Sequence, residues 1–367
     1  MNSREDSGRV RDSRMPDGWS PPVPAYTFRA DGPVVIAYYA VQCADGLGDE
    51  QVEHFKVWLE SSARGPDGPD RIERGQFVDA DGYSHWVATL YWHGDTERLG
   101  RWQSSDAHRR WWDSQERVDD RIGVFREIYQ TTDARIETLY STSDIEAGIG
   151  GVDSRRDGPI REHNYWGAMR DRIRESRADP LAPSPAAAVS PTEIRGPGRR
   201  VRLSGLAGVT VIHSGQHLEH VGTEERAFYR RRILPALKGG MRYLRDHPTD
   251  AGCYSARFIT ETDGDGQPMD RTYGLAVFAS MAHLEDWAEH HPTHLRIYDS
   301  LLVMAESLQG QVDIRLWHQV MVPSATSQYF EYINCHARTG MLPFAEFAEF
   351  AEFAERDDSV SGEPRAE

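Results

Sequence analysis

The 367-residue sequence has few cysteines, an excess of negative charge and no long apolar run. Its cysteines, Cys43, Cys253 and Cys335, are isolated, so no CxxC pair suggests a zinc site or a disulfide framework. There is also no CxxCH motif, the usual site of covalent cofactor attachment. The net charge of −16 disfavours binding to nucleic acid or to anionic membranes, because both require a basic surface.

Long apolar stretches are missing at the N-terminus and elsewhere. The first residues are polar and charged, unlike a secretory signal, and no stretch reaches the roughly 18 apolar residues of a transmembrane helix. We therefore expect a cytoplasmic protein. The apolar fraction of 39% is spread along the chain and predicts a sizeable packed core.

The distribution of apolar and polar segments divides the chain into five regions. We predict an N-terminal arm, a first α+β half, an inter-half segment, a second α+β half and a C-terminal segment, at residues 1–32, 33–142, 143–205, 206–325 and 326–367. The inter-half segment holds a short predicted helix in NYWGAMRDRIRES and a Pro/Ala-rich loop at 183–191.

Hydrophobic periodicity predicts the same order of elements in both halves, namely strand, helix, strand, helix and strand. In the first half we predict strands in PVVIAYYAVQ, YSHWVATLYW and RIETLYST, and helices in DEQVEHFKVWLESS and from ERLGRW to VFREI. In the second half we predict strands in AGVTVIHSGQ, RTYGLAVFAS and QVDIRLWHQVMV, and helices from EERAFY to LRDH and from LEDWAEHH to VMAESL.

A repeat is also visible in the letters. ERLGRWQSSDAH in the first half aligns with HLEDWAEHHPTH in the second, with one inserted residue, so that Leu, Trp and His correspond at Leu99, Trp102, His108 and at Leu284, Trp287, His294. Two such halves would each leave one sheet face to cover. Packing the two sheets together, or closing them into a barrel, would bury both faces.

The C-terminal repeat FAEFAEFAEFAE has a strict period of three. Its phenylalanines, Phe344, Phe347, Phe350 and Phe353, would drift around a helix instead of lining one face. We therefore expect a solvated tail or a frayed helix.

His294 is the first candidate site residue. Pro292 suits the first position of a helix, which would put His291 at the N-cap and His294 in the first turn. Helical spacing from His294 leads to Tyr298, Leu301, Ala305 and Leu308, which predicts an inward apolar stripe.

His318 is the second candidate. Alternation in the last predicted strand puts it on one face with Val312, Ile314, Leu316, Val320 and Val322. Either histidine could be a core residue bound to a backbone carbonyl, but two in consecutive elements make a site equally plausible. Zinc fits poorly, since Pro292 interrupts the pair His290 and His294; a single imidazole in an apolar pocket suits haem better.

The sequence resembles the haem-containing aldoxime dehydratases over about residues 17–343. In the second half and the inter-half segment the similar stretches are EHNYWGAMRDR, VIHSGQ, LRDHPTDAGCYSARF, HPTHLRIYDSLLVMAE, LWHQVMV and EYINCHARTGML. In the first half they are RADGPVVIAYYAVQ, RWQSSDAHRRWWDSQER and FREIYQTTDARIETLYS. The resemblance implies an α+β fold, a dimeric α+β barrel of two tandem ferredoxin-like halves, and a homodimer.

The resemblance also implies site residues and a reaction. His294 corresponds to the proximal ligand of a non-covalent haem b, ferrous in the active form, and His318 to the distal catalytic histidine. Ser214 and Arg172 correspond to residues that engage the oxime hydroxyl, and Glu137 to an acid that supports His318. The implied reaction removes water from an aldoxime to give a nitrile.

One further expectation concerns the first half, and two alternative functions remain. His108, the counterpart of His294, is followed by two arginines and lacks a clean apolar stripe, so we predict that only the second half binds haem. One alternative is a haem peroxidase or a chlorite-dismutase-like enzyme. Another is a binding module of the dimeric α+β barrel type without this activity.

Overall fold

A computed structural model of the protein describes residues 13–182 and 198–347. Within these ranges, eleven strands join in one sheet in which every named pair is antiparallel. The strands are β1 Val34–Cys43, β2 Arg71–Val78, β3 Ser84–His93, β4 Gly123–Thr131, β5 Ile136–Tyr140, β6 Arg200–Ser204, β7 Thr210–His217, β8 Cys253–Thr262, β9 Pro268–Phe278, β10 Arg315–Met321 and β11 Gln328–Ile333.

Ten α-helices accompany the sheet in the described ranges, and none of them is long and apolar enough to cross a membrane. They are α1 Glu50–Ala63, α2 Glu97–Gln103, α3 Asp106–Trp112, α4 Glu116–Asp119, α5 Ala168–Arg172, α6 Thr223–Phe228, α7 Leu234–Asp246, α8 Pro248–Ala251, α9 Met281–His290 and α10 Pro292–Ser307. A π-helical segment, Tyr229–Ile233, joins α6 to α7. Short 3₁₀ turns lie at Gly148–Val152, Arg174–Arg177, Ala325–Ser327 and Leu342–Phe347.

The strand order is the same in the two halves. It runs β4-β1-β3-β2 in the first half and β10-β7-β9-β8 in the second, which in both cases places the fourth strand beside the first and the third beside the second. The halves meet where β2 pairs with β8, in the register Arg74 to Thr262. β5 extends the sheet beside β10, and β11 and β6 extend it beside β4.

One sheet face of each half contributes to a shared central core. This core contains large buried side chains from both halves, among them Tyr38, Tyr129, Tyr273, Tyr332 and Trp317. The opposite faces are covered by helices. A cluster beneath α1 to α3 covers the first half, and clusters beneath α7, α9 and α10 cover the second. The central strands of both halves are therefore covered on both faces.

The predicted helix that ended in VFREI was wrong at its C-terminal end, because those residues belong to β4. Their adjacent charges of opposite sign, Arg126 and Glu127, are typical of a solvated helix face, but in β4 both form ion pairs inside the protein. Arg126 pairs with Glu331, and Glu127 pairs with Arg257. Buried pairs of this kind are invisible to a periodicity argument, since each partner comes from a distant strand.

Four strands were absent from the predicted series, namely β2, β6, β8 and β11. The segment after residue 325 is therefore not only a tail, because β11 lies between β4 and β6. Phe344, the first phenylalanine of the C-terminal repeat, is buried against Tyr254 with ring centroids 5.0 Å apart, so the expected solvated tail was wrong for that residue. Three further parts of the chain lie outside the described residues, namely Phe350, Phe353 and the 183–191 loop. The side chain of Phe347 is also not described.

The described part of the N-terminal arm packs on the inter-half segment. Ser13 donates to Asp171 at 2.6 Å, Arg14 pairs with Glu289, and the Trp19 indole donates to the His163 carbonyl at 3.1 Å. Residues 13–19 thus connect the inter-half segment to α9 through hydrogen bonds and an ion pair.

Glu331 on β11 is the centre of a buried charge network. Its carboxylate is fully buried and accepts from Arg126 at 2.7 Å, Arg200 at 2.9 Å, Arg202 at 2.8 Å and the Trp112 indole at 2.7 Å. Burial alone would raise the pKa of Glu331, but these partners lower it from 4.5 to about 2. The network joins β4, β6, β11 and α3.

We predict that Glu331→Gln lowers the free energy of unfolding by about 3 kcal/mol, because Arg126 keeps a buried charge without its counter-charge. Chemical denaturation of the variant, with the exposed Glu306→Gln as control, measures the loss. Because the folded pKa is depressed, the contribution is present above pH 4.5 and disappears as the pH falls towards about 2. Equal stability of Glu331→Gln and wild type at pH 7 would contradict the role of the network.

Candidate active site

The α9–α10 junction fixes the position of His294. As predicted, His291 is the N-cap of α10, with Pro292 at the first helical position. The His291 side chain accepts from the Thr293 amide at 3.3 Å, and the Trp287 indole donates to the Thr293 hydroxyl at 3.1 Å. The turn between the helices is thus held by side chains of both, and His294 lies in the first turn of α10.

The His294 ring is oriented by a backbone carbonyl and a tryptophan. Nδ1 lies 2.6 Å from the carbonyl oxygen of Ala288, which can only accept, so Nδ1 carries the proton and Nε2 keeps its lone pair. Trp287 meets the ring edge-on at 4.8 Å. Burial lowers the pKa of His294, although the Ala288 carbonyl opposes this, so the ring favours the neutral form that ligates metals.

The predicted inward stripe of α10 is right at Leu301 and Leu308, which pack, partly buried, against a core cluster of the second half. It is wrong at Tyr298, which is 37% exposed. His294 therefore begins an apolar stripe at the edge of the core, next to Trp166, whose ring lies 6.2 Å away.

His108 shows what the equivalent position looks like in the first half. Trp102 meets its ring edge-on at 4.6 Å, as Trp287 meets His294, so the repeat in the letters has a counterpart in space. His108 is nevertheless enclosed, with Trp58 at 5.4 Å and Trp112 at 6.0 Å, and Nε2 lies 3.3 Å from the Tyr39 hydroxyl. Burial lowers the pKa of His108 to about 3.

Strand β10 presents His318 on the predicted face. Val320 on that face packs under the helices of the second half. The other face is not a polar one, since Trp317 and Met321 enter the central core and Gln319 is buried too. Pairing brings Ser214 of β7 directly opposite His318. Paired residues share a face, so the two polar side chains lie on the same side of the sheet.

Glu137, Arg172 and His318 form a buried triad. Arg172 Nε donates to Glu137 Oε2 at 2.6 Å, and Arg172 Nη2 lies 2.8 Å from His318 Nε2. Glu137 Oε1 is 3.0 Å from the same nitrogen. Arg172 Nη1 donates to the carbonyl of Glu162 at 2.6 Å, which anchors the guanidinium to the inter-half segment.

His318 Nε2 has a suitable partner in either protonation state. When it is unprotonated, it accepts from Arg172. When it carries a proton, it donates to Glu137 Oε1, an atom with no other hydrogen-bond partner among the described residues. A histidine that must gain and lose a proton at one nitrogen would be served by this pair of neighbours.

The electrostatics of the triad keep Glu137 ionised. Burial raises the pKa of this carboxyl, but Arg172 and then His318 outweigh it, so the pKa of Glu137 is lowered overall. The Arg172 side chain is only 6% exposed, so its ion pair with Glu137 lies inside the protein. The Arg172 guanidinium is stable in the interior because the Glu137 carboxylate and the Glu162 carbonyl both accept hydrogen bonds from it.

Sequence reasoning found the side chains of the site but missed their backbone supports. The Ala288 carbonyl that orients His294 and the Glu162 carbonyl that anchors Arg172 leave no signal in residue type. Trp166 was missed as a neighbour of His294, although it lies within the EHNYWGAMRDR stretch.

Comparisons with known proteins match nearly the whole described chain. The sequence profile of a family described as haem-containing dehydratases matches residues 37–341. An aliphatic aldoxime dehydratase of Pseudomonas chlororaphis is 38% identical over 340 residues, covering 91% of this chain and 94% of that protein. A phenylacetaldoxime dehydratase of Bacillus sp. (strain OxB-1) is 29% identical, with coverage of 90% and 94%.

A solved structure is similar in fold as well. An aldoxime dehydratase crystallised in complex with butyraldoxime is 36% identical, covers 91% of this chain and 92% of its own, and superimposes with a TM-score of 0.81. The profile match over residues 37–341 includes strands of both halves and the segments that carry the triad and His294.

Proposed function

The chain belongs to the family of haem-containing dehydratases, and from this premise we propose that it removes water from an aldoxime to give a nitrile, with His294 as haem ligand and His318 as general acid and base. The observation that carries the catalytic part is the triad, in which one imidazole nitrogen faces both a cation and a carboxylate. The alternatives, a peroxidase or chlorite-dismutase-like enzyme and an inactive binding module, lack support from relatives of comparable identity.

The residues around His294 fit a haem. Nε2 of His294 has the lone pair that an axial ligand requires, and the hydrogen bond of Nδ1 to Ala288 raises its basicity. Tyr298, Leu302 and Trp166 form an exposed apolar surface beside it, suited to contact the flat face of a porphyrin. His108 has no such surface, which supports the proposal that the haem is confined to the second half.

The reaction needs a proton delivered to one atom and removed from another. His294 would hold a ferrous haem, whose iron would supply a binding partner for the oxime nitrogen and electron density for cleavage of the N–O bond. His318 gives its Nε2 proton to the departing hydroxyl, which leaves as water. The neutral ring then accepts the proton from the oxime carbon, which restores the imidazolium and completes the nitrile.

Arg172, Ser214 and Glu137 have distinct tasks in this proposal. Arg172 and Ser214 hold the oxime hydroxyl, because the guanidinium lies beside His318 Nε2 and the serine lies opposite His318 on β7. Glu137 does not need to touch substrate. It fixes Arg172 and stabilises the protonated imidazole, so it is a positioning residue.

The finer description of the fold is also a proposal. We assign residues 33–142 and 206–325 to two tandem ferredoxin-like halves of a dimeric α+β barrel, supported by their identical strand order and the shared core. Residues 1–32, 143–205 and 326–367 are the arm, the inter-half segment and the C-terminal segment. A homodimer remains a prediction from the family resemblance, and a cytoplasmic location remains a prediction from the polar N-terminus and the lack of long apolar stretches.

The activity is tested with the haem-loaded protein and butyraldoxime under anaerobic, reducing conditions. We expect butyronitrile, measured by gas chromatography, with turnover that stops when the haem is oxidised. A reduced, haem-loaded protein that forms no nitrile but turns over peroxide or chlorite would overturn the proposal.

We expect His294→Ala to lose haem, because no other ligand replaces the oriented Nε2. The haem content per chain and the Soret spectrum measure the effect. His290→Ala, which removes an exposed histidine four residues earlier, is the control and should retain haem. A normal haem spectrum in His294→Ala would refute the ligand assignment.

We expect His318→Ala to keep haem and to lose about 10²- to 10⁴-fold in kcat, the usual contribution of a general acid or base. Trp166→Phe, which changes the surface beside the other histidine, serves as a control for altered packing and should lower kcat far less. Full turnover by His318→Ala would remove this residue from the mechanism.

A further inference from the structure

A second cluster of potential metal ligands lies away from the proposed haem site. Asp79 follows β2, His85 lies on β3, and His336 follows β11, so the β2–β3 hairpin of the first half and the C-terminal segment converge. One ligand atom from each residue lies within 4.8 Å of the others. Both imidazole Nε2 atoms are 2.7 Å from the same carboxylate oxygen, Asp79 Oδ2.

We propose that Asp79, His85 and His336 bind a divalent transition-metal ion such as Zn²⁺. Two imidazoles and one carboxylate are a donor set that such ions use, with the remaining position open to water. Ligand atoms around a tetrahedral Zn²⁺ with bonds of about 2.0–2.1 Å are about 3.3 Å apart. The ion would therefore lengthen each of the two contacts with Asp79 by about 0.6 Å and hold the two imidazole nitrogens, which lie within 4.8 Å of each other, at the same spacing of about 3.3 Å.

The three side chains are held in place independently of any ion. Asp79 Oδ1 accepts from the amides of Asp81 at 2.9 Å and Tyr83 at 3.0 Å, which leaves Oδ2 directed at the histidines. The His85 ring stacks on Phe77 at 4.3 Å, and the His336 ring lies against Tyr83 at 4.5 Å. Preorganised side chains lose little conformational entropy when they take up an ion.

The cluster lies on the wall of a cavity. All three residues line this cavity of about 1420 Å³. Three arginines of the wall are paired, Arg338 with Asp81, Arg257 with Glu127 and Arg245 with Asp246, and Arg242 and Lys238 line it as well. His336 Nδ1 accepts from the Arg338 amide at 3.3 Å, and the Asp81 carboxylate, 3.7 Å away, would have to move closer to accept from that nitrogen once Nε2 holds a metal.

The ion would link the hairpin between β2 and β3 to the segment after β11. That segment connects β11 to the first half, and its His336 and Arg338 side chains contact the hairpin. A metal at this point would stabilise the fold without touching the proposed substrate site.

The test uses the haem-loaded full chain, stripped with a chelator and titrated with Zn²⁺ against a chromogenic competitor, with zinc content measured by mass spectrometry after gel filtration. We expect one Zn²⁺ per chain and a rise in Tm on binding. His336→Gln and Asp79→Asn should each bind at least about tenfold more weakly. His247→Gln, an exposed histidine of the same cavity wall, should bind as wild type does.

The Soret spectrum and the circular dichroism of each variant establish whether it is folded. If His336→Gln is not folded, Asp79→Asn provides the test. Wild type that binds no more zinc than the two ligand variants overturns the proposal. A fall in Tm of His336→Gln without zinc binding by wild type also overturns the proposal, since the Asp79, His85 and His336 cluster would then be only a hydrogen-bonded link.

Discussion

The buried guanidinium of Arg172 is the interaction on which the site depends. It contacts Glu137 on β5, the carbonyl of Glu162 in the inter-half segment and His318 on β10, so it joins three parts of the chain that are distant in sequence. None of these groups would be stable alone in the interior, because an unpaired buried charge is costly. The pairing stabilises the segment between the halves and at the same time prepares one imidazole nitrogen to hold or release a proton.

The same duplicated framework has different contents in its two halves. A tryptophan meets a histidine edge-on at the corresponding helix in each half, at 4.6 Å for His108 and 4.8 Å for His294. In the first half further tryptophans and Tyr39 enclose the ring. In the second, the Ala288 carbonyl orients it and an apolar surface adjoins it. Indole rings enclose the histidine of the first half and leave that of the second half open on one side, which makes the repeated fold asymmetric.

Much of this organisation could be predicted from periodicity. The N-cap at His291, the face of β10 that carries His318 and the order of the main helices follow from local patterns, which act within one element. The family resemblance supplied Arg172, Ser214 and Glu137, since nothing local distinguishes them from ordinary helix or strand residues.

The errors have a common physical cause. Periodicity cannot show that the charges of β4 find partners on other strands, or that Tyr298 of α10 lies exposed beside Trp166 of the inter-half segment. The strands β2, β6, β8 and β11 were missed for the same reason, as their stability comes from pairing across the sheet. The Asp79, His85 and His336 cluster could not be predicted either, because its members meet only once the sheet is complete.

The central claim is that Glu137 acts through the Nε2 proton of His318. A double-mutant cycle of Glu137→Gln and His318→Ala on kcat, in folded and haem-loaded protein, tests it most directly. The account predicts that the double variant is within about twofold of His318→Ala alone, because the carboxylate has no imidazolium left to stabilise. Losses in kcat that multiply in the double variant would contradict the account, since Glu137 would then act independently of His318.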